Sequence, residues 1–206
     1  DQLVVRGLEP NGTWGLYLVR TDGTGLTRLE LDPGFELDAN YGVNRGYYFL
    51  APAWSPDGRR LAYHTLEEST VDGDPGFRVH VADIDAAGAV TGETLLTPEP
   101  GIDDEFDAAW LPDGSGVVVH RVEEEVTDIV RWPIGERLDA TATPVVLDGS
   151  QSPDRFVIAP DGTGVLAWQP GSTASILPID GGPATPTTVV LGEDAEQVRV
   201  GAVAGG

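Results

Sequence analysis

PAWSPDGRRLAYHT, from Pro52 to Thr65, carries an aromatic residue, a Pro-Asp-Gly turn and then an apolar segment. Proline presets φ at the second turn position, and glycine accepts the positive φ that such turns often need. The stretch therefore reads as a β-hairpin. Two further stretches repeat it: AWSPDGRRLAYHT (53–65) aligns with AWLPDGSGVVVHR (109–121) and with VIAPDGTGVLAWQ (157–169). The turn prolines, Pro56, Pro112 and Pro160, stand 56 and 48 residues apart. Spacings of this size mark a repeat architecture rather than a lone hairpin. The third copy departs in one place, with Ile158 where Trp54 and Trp110 stand.

A weaker set of copies interleaves with the first. GLYLVRTDGTGLTRLEL (15–31), RVHVADIDAAGAVTGETLL (78–96), DIVRWPIGERLDATATPVVL (128–147) and ASILPIDGGPATPTTVVL (174–191) each read strand, tight turn, strand. Polar and apolar residues alternate in RVHVADI and TDIVRW, and no segment sustains a 3.6-residue apolar period. Each unit thus has four strands, A to D, in meander order, with almost no helix in the chain. Four-stranded antiparallel units repeated around an axis are propeller blades. The expected fold is an all-β, single-domain propeller over 1–206, with blades at 47–97, 105–147 and 155–191. A fourth blade is shared by the two ends, 1–31 and 197–206. In that reading VRVGAVAGG supplies a strand A at 198–203 that pairs with 3–6. The alternatives are an arc of a larger ring and a pairing of two arcs.

The motif WSPDGRRLAY, followed by VHVADID and ETLLT, resembles the TolB-type propeller repeat, a WD-repeat-like family. The resemblance is strong over 52–97, good over 108–147 and partial over 157–191. It implies a propeller that binds proteins or ligands, or caps a peptidase domain. It also implies a place outside the cytoplasm, periplasmic, cell-surface or secreted.

With 206 residues the chain can bury about 70% of its unfolded surface and needs no staples. Cysteine is absent, which excludes disulfides, thiolate metal sites and a cysteine nucleophile. Methionine is absent even at position 1, so the chain reads as a trimmed product. No apolar run approaches the about 18 residues of a membrane span. All 12 basic residues are arginine, and the net charge is −22. Such a chain repels nucleic acid and anionic membranes, so neither is an expected partner.

The acids are not evenly spread. In a meander blade the A–B and C–D turns share one face, here short turns such as SPDG, LPDG and APDG. The B–C and D–A connections share the other face, at 7–14, 32–50, 66–76, 98–108, 121–128, 148–155 and 192–197. They hold 22 of the 34 acids against three arginines. Loops on a rigid scaffold carry function more often than the scaffold does. The candidate partner-binding residues therefore lie on this loop face. They are Tyr41, Asn44, Arg45, Tyr47 and Tyr48 in the longest loop, with the acids Asp103, Asp104, Glu105, Asp107, Glu123 and Glu124.

The catalytic and metal motifs fare less well. VDGDPG (71–76) and GIDDEFD (101–107) offer hard oxygens that Ca²⁺ favours, but neither matches the twelve-residue EF-hand loop. No cofactor is expected, with Ca²⁺ the one alternative. His64 and His120 share one repeat position, where Arg6 and Trp168 also align. Without a third ligand they read as interblade packing residues rather than a zinc site. No nucleophile elbow or phosphate loop occurs. With the missing start methionine, the TolB-type resemblance implies a non-enzymatic binding or sensor module, expected to be exported and tethered to a membrane anchor outside this chain. The rival readings are a metal-dependent propeller hydrolase and a purely structural propeller domain.

Overall fold

The computed structural model describes residues 2–8, 14–31, 50–68, 75–96, 104–123, 126–135, 144–148 and 153–191. These residues form fifteen strands and no helix. Blade 1 holds β1 (Gln2–Leu8), β2 (Trp14–Arg20) and β3 (Thr27–Arg28). Blade 2 holds β4 (Leu50–Trp54), β5 (Arg60–Glu68), β6 (Pro75–Ile84) and β7 (Val90–Leu95). Blade 3 holds β8 (Asp104–Trp110), β9 (Gly116–Glu123), β10 (Val126–Pro133) and β11 (Val145–Asp148). Blade 4 holds β12 (Arg155–Ile158), β13 (Gly164–Trp168), β14 (Thr173–Pro178) and β15 (Thr185–Val190). Every sheet is an antiparallel meander in sequence order, so the chain is an all-β propeller of four blades. In blade 1, β1 stands in the strand-B position. The strand A expected beside it, 198–203, lies outside the described residues.

The three Pro-Asp-Gly turns use one set of hydrogen bonds. The N–H groups of Gly58, Gly114 and Gly162 donate to the carbonyls of Ser55, Leu111 and Ala159. Each turn aspartate accepts the N–H two residues on, at Arg59, Ser115 and Thr163. The three glycines have φ of 68°, 74° and 71°, a region other residues rarely adopt. The local donors hold all three carboxyls below their ordinary range. The first cause is the Ser55 hydroxyl at Asp57, the Ser115 N–H at Asp113 and the Thr163 N–H at Asp161.

Three apolar clusters lie between consecutive blades. Leu16, Leu18 and Leu29 of blade 1 meet Leu61, Tyr63, Ala82 and Ile84 of blade 2. Ala62, Val79 and Val81 of blade 2 meet Val117, Val119, Val130 and Trp132 of blade 3. Val118 and Ile129 of blade 3 meet Val165, Ala167 and Leu177 of blade 4. Alternation along each strand sends odd and even residues to opposite neighbours, so each sheet is buried on both faces where it has two neighbours. Trp54, Trp110 and Ile158 hold one repeat position. Each packs into the cluster shared with the preceding blade.

Candidate binding face

The acidic face is built from strand ends. β5 runs to Glu68, β6 starts at Pro75, β8 starts at Asp104 and β9 runs to Glu123. The hairpins reach further than the polar sequence suggests. Glu123 pairs with Val126, so 121–128 is mostly ladder and not a long loop.

Of the candidate residues, Asp104, Glu105, Asp107 and Glu123 are described. Tyr41, Asn44, Arg45, Tyr47, Tyr48, Asp103 and Glu124 lie outside the described residues. Asp104 accepts the N–H of Phe77 at 2.6 Å and so ties β8 to β6. Glu123 is exposed.

Glu105 does not belong to a solvated surface cluster. It is fully buried, directly across the ladder from Arg121. Its Oε1 accepts from Arg121 Nε at 3.0 Å and from Trp132 Nε1 at 3.1 Å, and Arg121 Nη2 stands 3.0 Å away. The guanidinium also lies over the Trp132 ring, 5.2 Å from its centroid. Burial pushes the Glu105 carboxyl up, against the pull of Arg121 and Trp132. The acid run hid this residue, and the register counted back from the Pro112 turn is the signal that finds it.

Asp107 sits where β8 breaks register, between Phe106 and Ala109. Its φ of 57° is positive, which costs a non-glycine residue some strain. Its half-exposed carboxylate lies 3.4 Å from His120 Nδ1. That contact holds the Asp107 carboxyl below its ordinary range, with partial burial opposing it.

The two repeat-equivalent histidines are both buried packing residues between blades. His64 Nε2 accepts the N–H of Ala108, from blade 3, at 3.2 Å. Burial drives its pKa down to about 4, with Asp107 opposing. His120 stacks on Phe106 at 5.2 Å and meets Phe156 of blade 4 edge-on at 4.8 Å. A further polar cluster, not singled out by the sequence, lies on the blade 2 face that meets blade 1. Tyr63 donates its hydroxyl to Glu93, His80 Nδ1 is 3.4 Å from the same carboxylate, and the two rings stack at 5.5 Å.

Two open clefts lined by described residues lie on the opposite, turn face. One of about 640 Å³ is lined by Gln2, Arg20, Trp54, Gly58 and Ala86, between blades 1 and 2. One of about 340 Å³ is lined by Ser55, Pro56, Asp57, Arg60, Trp110, Asp113 and Gly114, between blades 2 and 3. Among the described residues no group of three or more histidines or carboxylates could hold a metal ion.

No family model matches the sequence, and no curated protein does either. Solved structures do match. A protein from Lactobacillus plantarum shares 14% identity at a TM-score of 0.54, over 93% of this chain and 57% of that one. A candidate 6-phosphogluconolactonase from Bacteroides fragilis shares 14% identity at a TM-score of 0.51, over 93% and 56%. Dipeptidyl peptidase 4 from Porphyromonas gingivalis shares 12% identity at a TM-score of 0.55, over 90% and 32%. At these identities the likeness is one of fold. This chain spans just over half the length of the first two proteins.

Proposed function

We propose that this chain is a TolB-like, non-enzymatic binding or sensor module that works outside the cytoplasm. It takes a protein or small-molecule partner on the acidic face, among the Tyr-rich loop and the strand ends. The observation that carries this reading is the position of Asp104, Asp107 and Glu123. Asp104 and Glu123 stand at the ends of their strands away from the Pro-Asp-Gly turns, and Asp107 is half-exposed at the register break in the middle of β8, in a chain of net charge −22. Such a face attracts cations over about a Debye length, roughly 10 Å at moderate salt.

A hydrolytic reading needs a base that reaches substrate. The Asp107–His120 pair has the right residue types, but His120 is buried between Phe106 and Phe156. Proton transfer to a bound substrate requires direct or one-water contact, which favours the binding reading.

The test uses a fluorescent lysine-rich peptide as probe, with anisotropy at low and high salt. Binding is expected at low salt, weakening as salt rises. The triple variant Asp104→Asn, Asp107→Asn, Glu123→Gln should bind several-fold more weakly. Equal binding by wild type and variant would overturn the site. Turnover of a lactone or dipeptide substrate by the purified chain would overturn the non-enzymatic reading.

A further inference from the structure

Propeller blades repeat one contact: the face of each blade toward the next meets the back of that next blade. In blades 2, 3 and 4 the backward face carries two strand-B residues in matching positions. These are Leu61 and Tyr63, Val117 and Val119, and Val165 and Ala167, all at most 3% exposed. The matching residues of β1 are Leu3 and Val5, since Val4 between them packs toward blade 2. Leu3 is 52% exposed and Val5 37%.

The forward face shows the same step at the other end. Ala62 and Val81, paired across blade 2, are fully buried against blade 3. Their counterparts in blade 4 are Leu166 and Ile176, also paired, and Ile176 is 46% exposed. Polar groups mark the same two ends. Trp110 donates its indole N–H to Ala53, in strand A of the preceding blade, at 3.0 Å. The equivalent N–H of Trp54 is buried without an acceptor. Trp168, 4% exposed, stands where His64 takes an N–H from the next blade, and its own N–H is buried without an acceptor.

We propose that these two faces meet each other across two copies of the chain, head to tail, so that two four-blade arcs form one ring. The occupant of each face is therefore a second copy. Two observations select it. The forward face of blade 4 and the backward face of blade 1 are the two halves of a contact already made three times in this molecule. Closure of the arc on itself would bury Leu3, Val5 and Ile176, which instead stand open. A contact between unlike patches closes into a ring when its rotation divides the circle, and two such contacts related by a twofold axis close here.

The experiment is sedimentation equilibrium of the purified 206-residue chain, followed by cross-linking. The expected mass is twice the 21.7 kDa of one chain. Leu3→Asp or Ile176→Asp should return it to one chain while the melting curve of the arc stays cooperative. Because the chain has no cysteine, single thiols are clean probes. With a short bis-maleimide, the double variant Val5→Cys, Ile176→Cys should give covalent dimer, and neither single-cysteine variant should. A monomer at every concentration would overturn the proposal and point to further blades of a longer chain. Covalent dimer from either single variant would also overturn it, because like faces would then be meeting.

Discussion

The contact between blades 2 and 3 and the contact between blades 3 and 4 start from one repeat and end in different chemistry. The first holds a buried ion pair, Glu105 with Arg121, and the indole N–H of Trp110 bonded to Ala53. It also holds a histidine, His64, that satisfies the Ala108 amide. The second places His120 at the same repeat position but surrounds it with Phe106 and Phe156. Its ring nitrogens make no hydrogen bond that meets ordinary geometry. The difference teaches that a repeat fixes position and burial, whereas the partner side chains decide whether a contact is polar and directional or apolar and adaptable.

The largest expected effect breaks the polar contact. Arg121→Ala leaves Glu105 buried with its main counter-charge gone, which should cost about 3–5 kcal/mol in urea unfolding. A loss below about 1 kcal/mol would mean that Glu105 is neutral in the folded chain. Trp110→Ala removes a buried indole and its hydrogen bond, for a cost near the upper part of about 3–5 kcal/mol. Trp54→Ala should cost less, since Trp54 is only partly buried and its N–H has no partner.

Acid should act through His64. Its folded pKa is about 4 against an ordinary 6.5, so the folded chain binds fewer protons than the unfolded one between those values. The stabilising contribution is full above pH 6.5 and is lost as pH falls toward 4, amounting to about 3 kcal/mol. Melting temperatures across that window should fall in wild type and fall less in His64→Leu. At neutral pH, His64→Leu should still cost about 1–3 kcal/mol, because it strands the Ala108 amide. His120→Leu is the sharpest comparison and the smallest effect. It strands no well-formed hydrogen bond, and the half-exposed Asp107 keeps its water. The change should lie within about 1 kcal/mol of zero and can be stabilising. If the two leucine variants lose stability equally, the contrast between the contacts fails.

The strands, the hairpin order and the shared place of Trp54, Trp110 and Ile158 were legible because turn residues and alternation are local signals. So was the packing role of His64 and His120, which follows from the repeat alignment. Glu105 was not legible as a buried residue. Four acids in five positions, 103–107, look like solvated loop, and only the pairing of 105 with 121 reveals the partner. Asp107 carries a positive φ that glycine or asparagine would have announced and aspartate does not. Of the candidate binding face, the sequence marks the acids, but which of them reach solvent depends on the twist and register of neighbouring strands.

The meander has a consequence for how the chain comes apart. Each blade touches only the blade before it and the blade after it in the three described clusters, so stability propagates like a chain of neighbours rather than through one centre. Among the described residues of one chain, blades 2 and 3 are held on both sides and blades 1 and 4 on one. In the single-chain variant Leu3→Asp, amide hydrogen exchange should therefore run as a gradient, fastest in β1 and β15 and slowest in β6 and β9, with the middle of the arc behaving as the last cooperative unit to open.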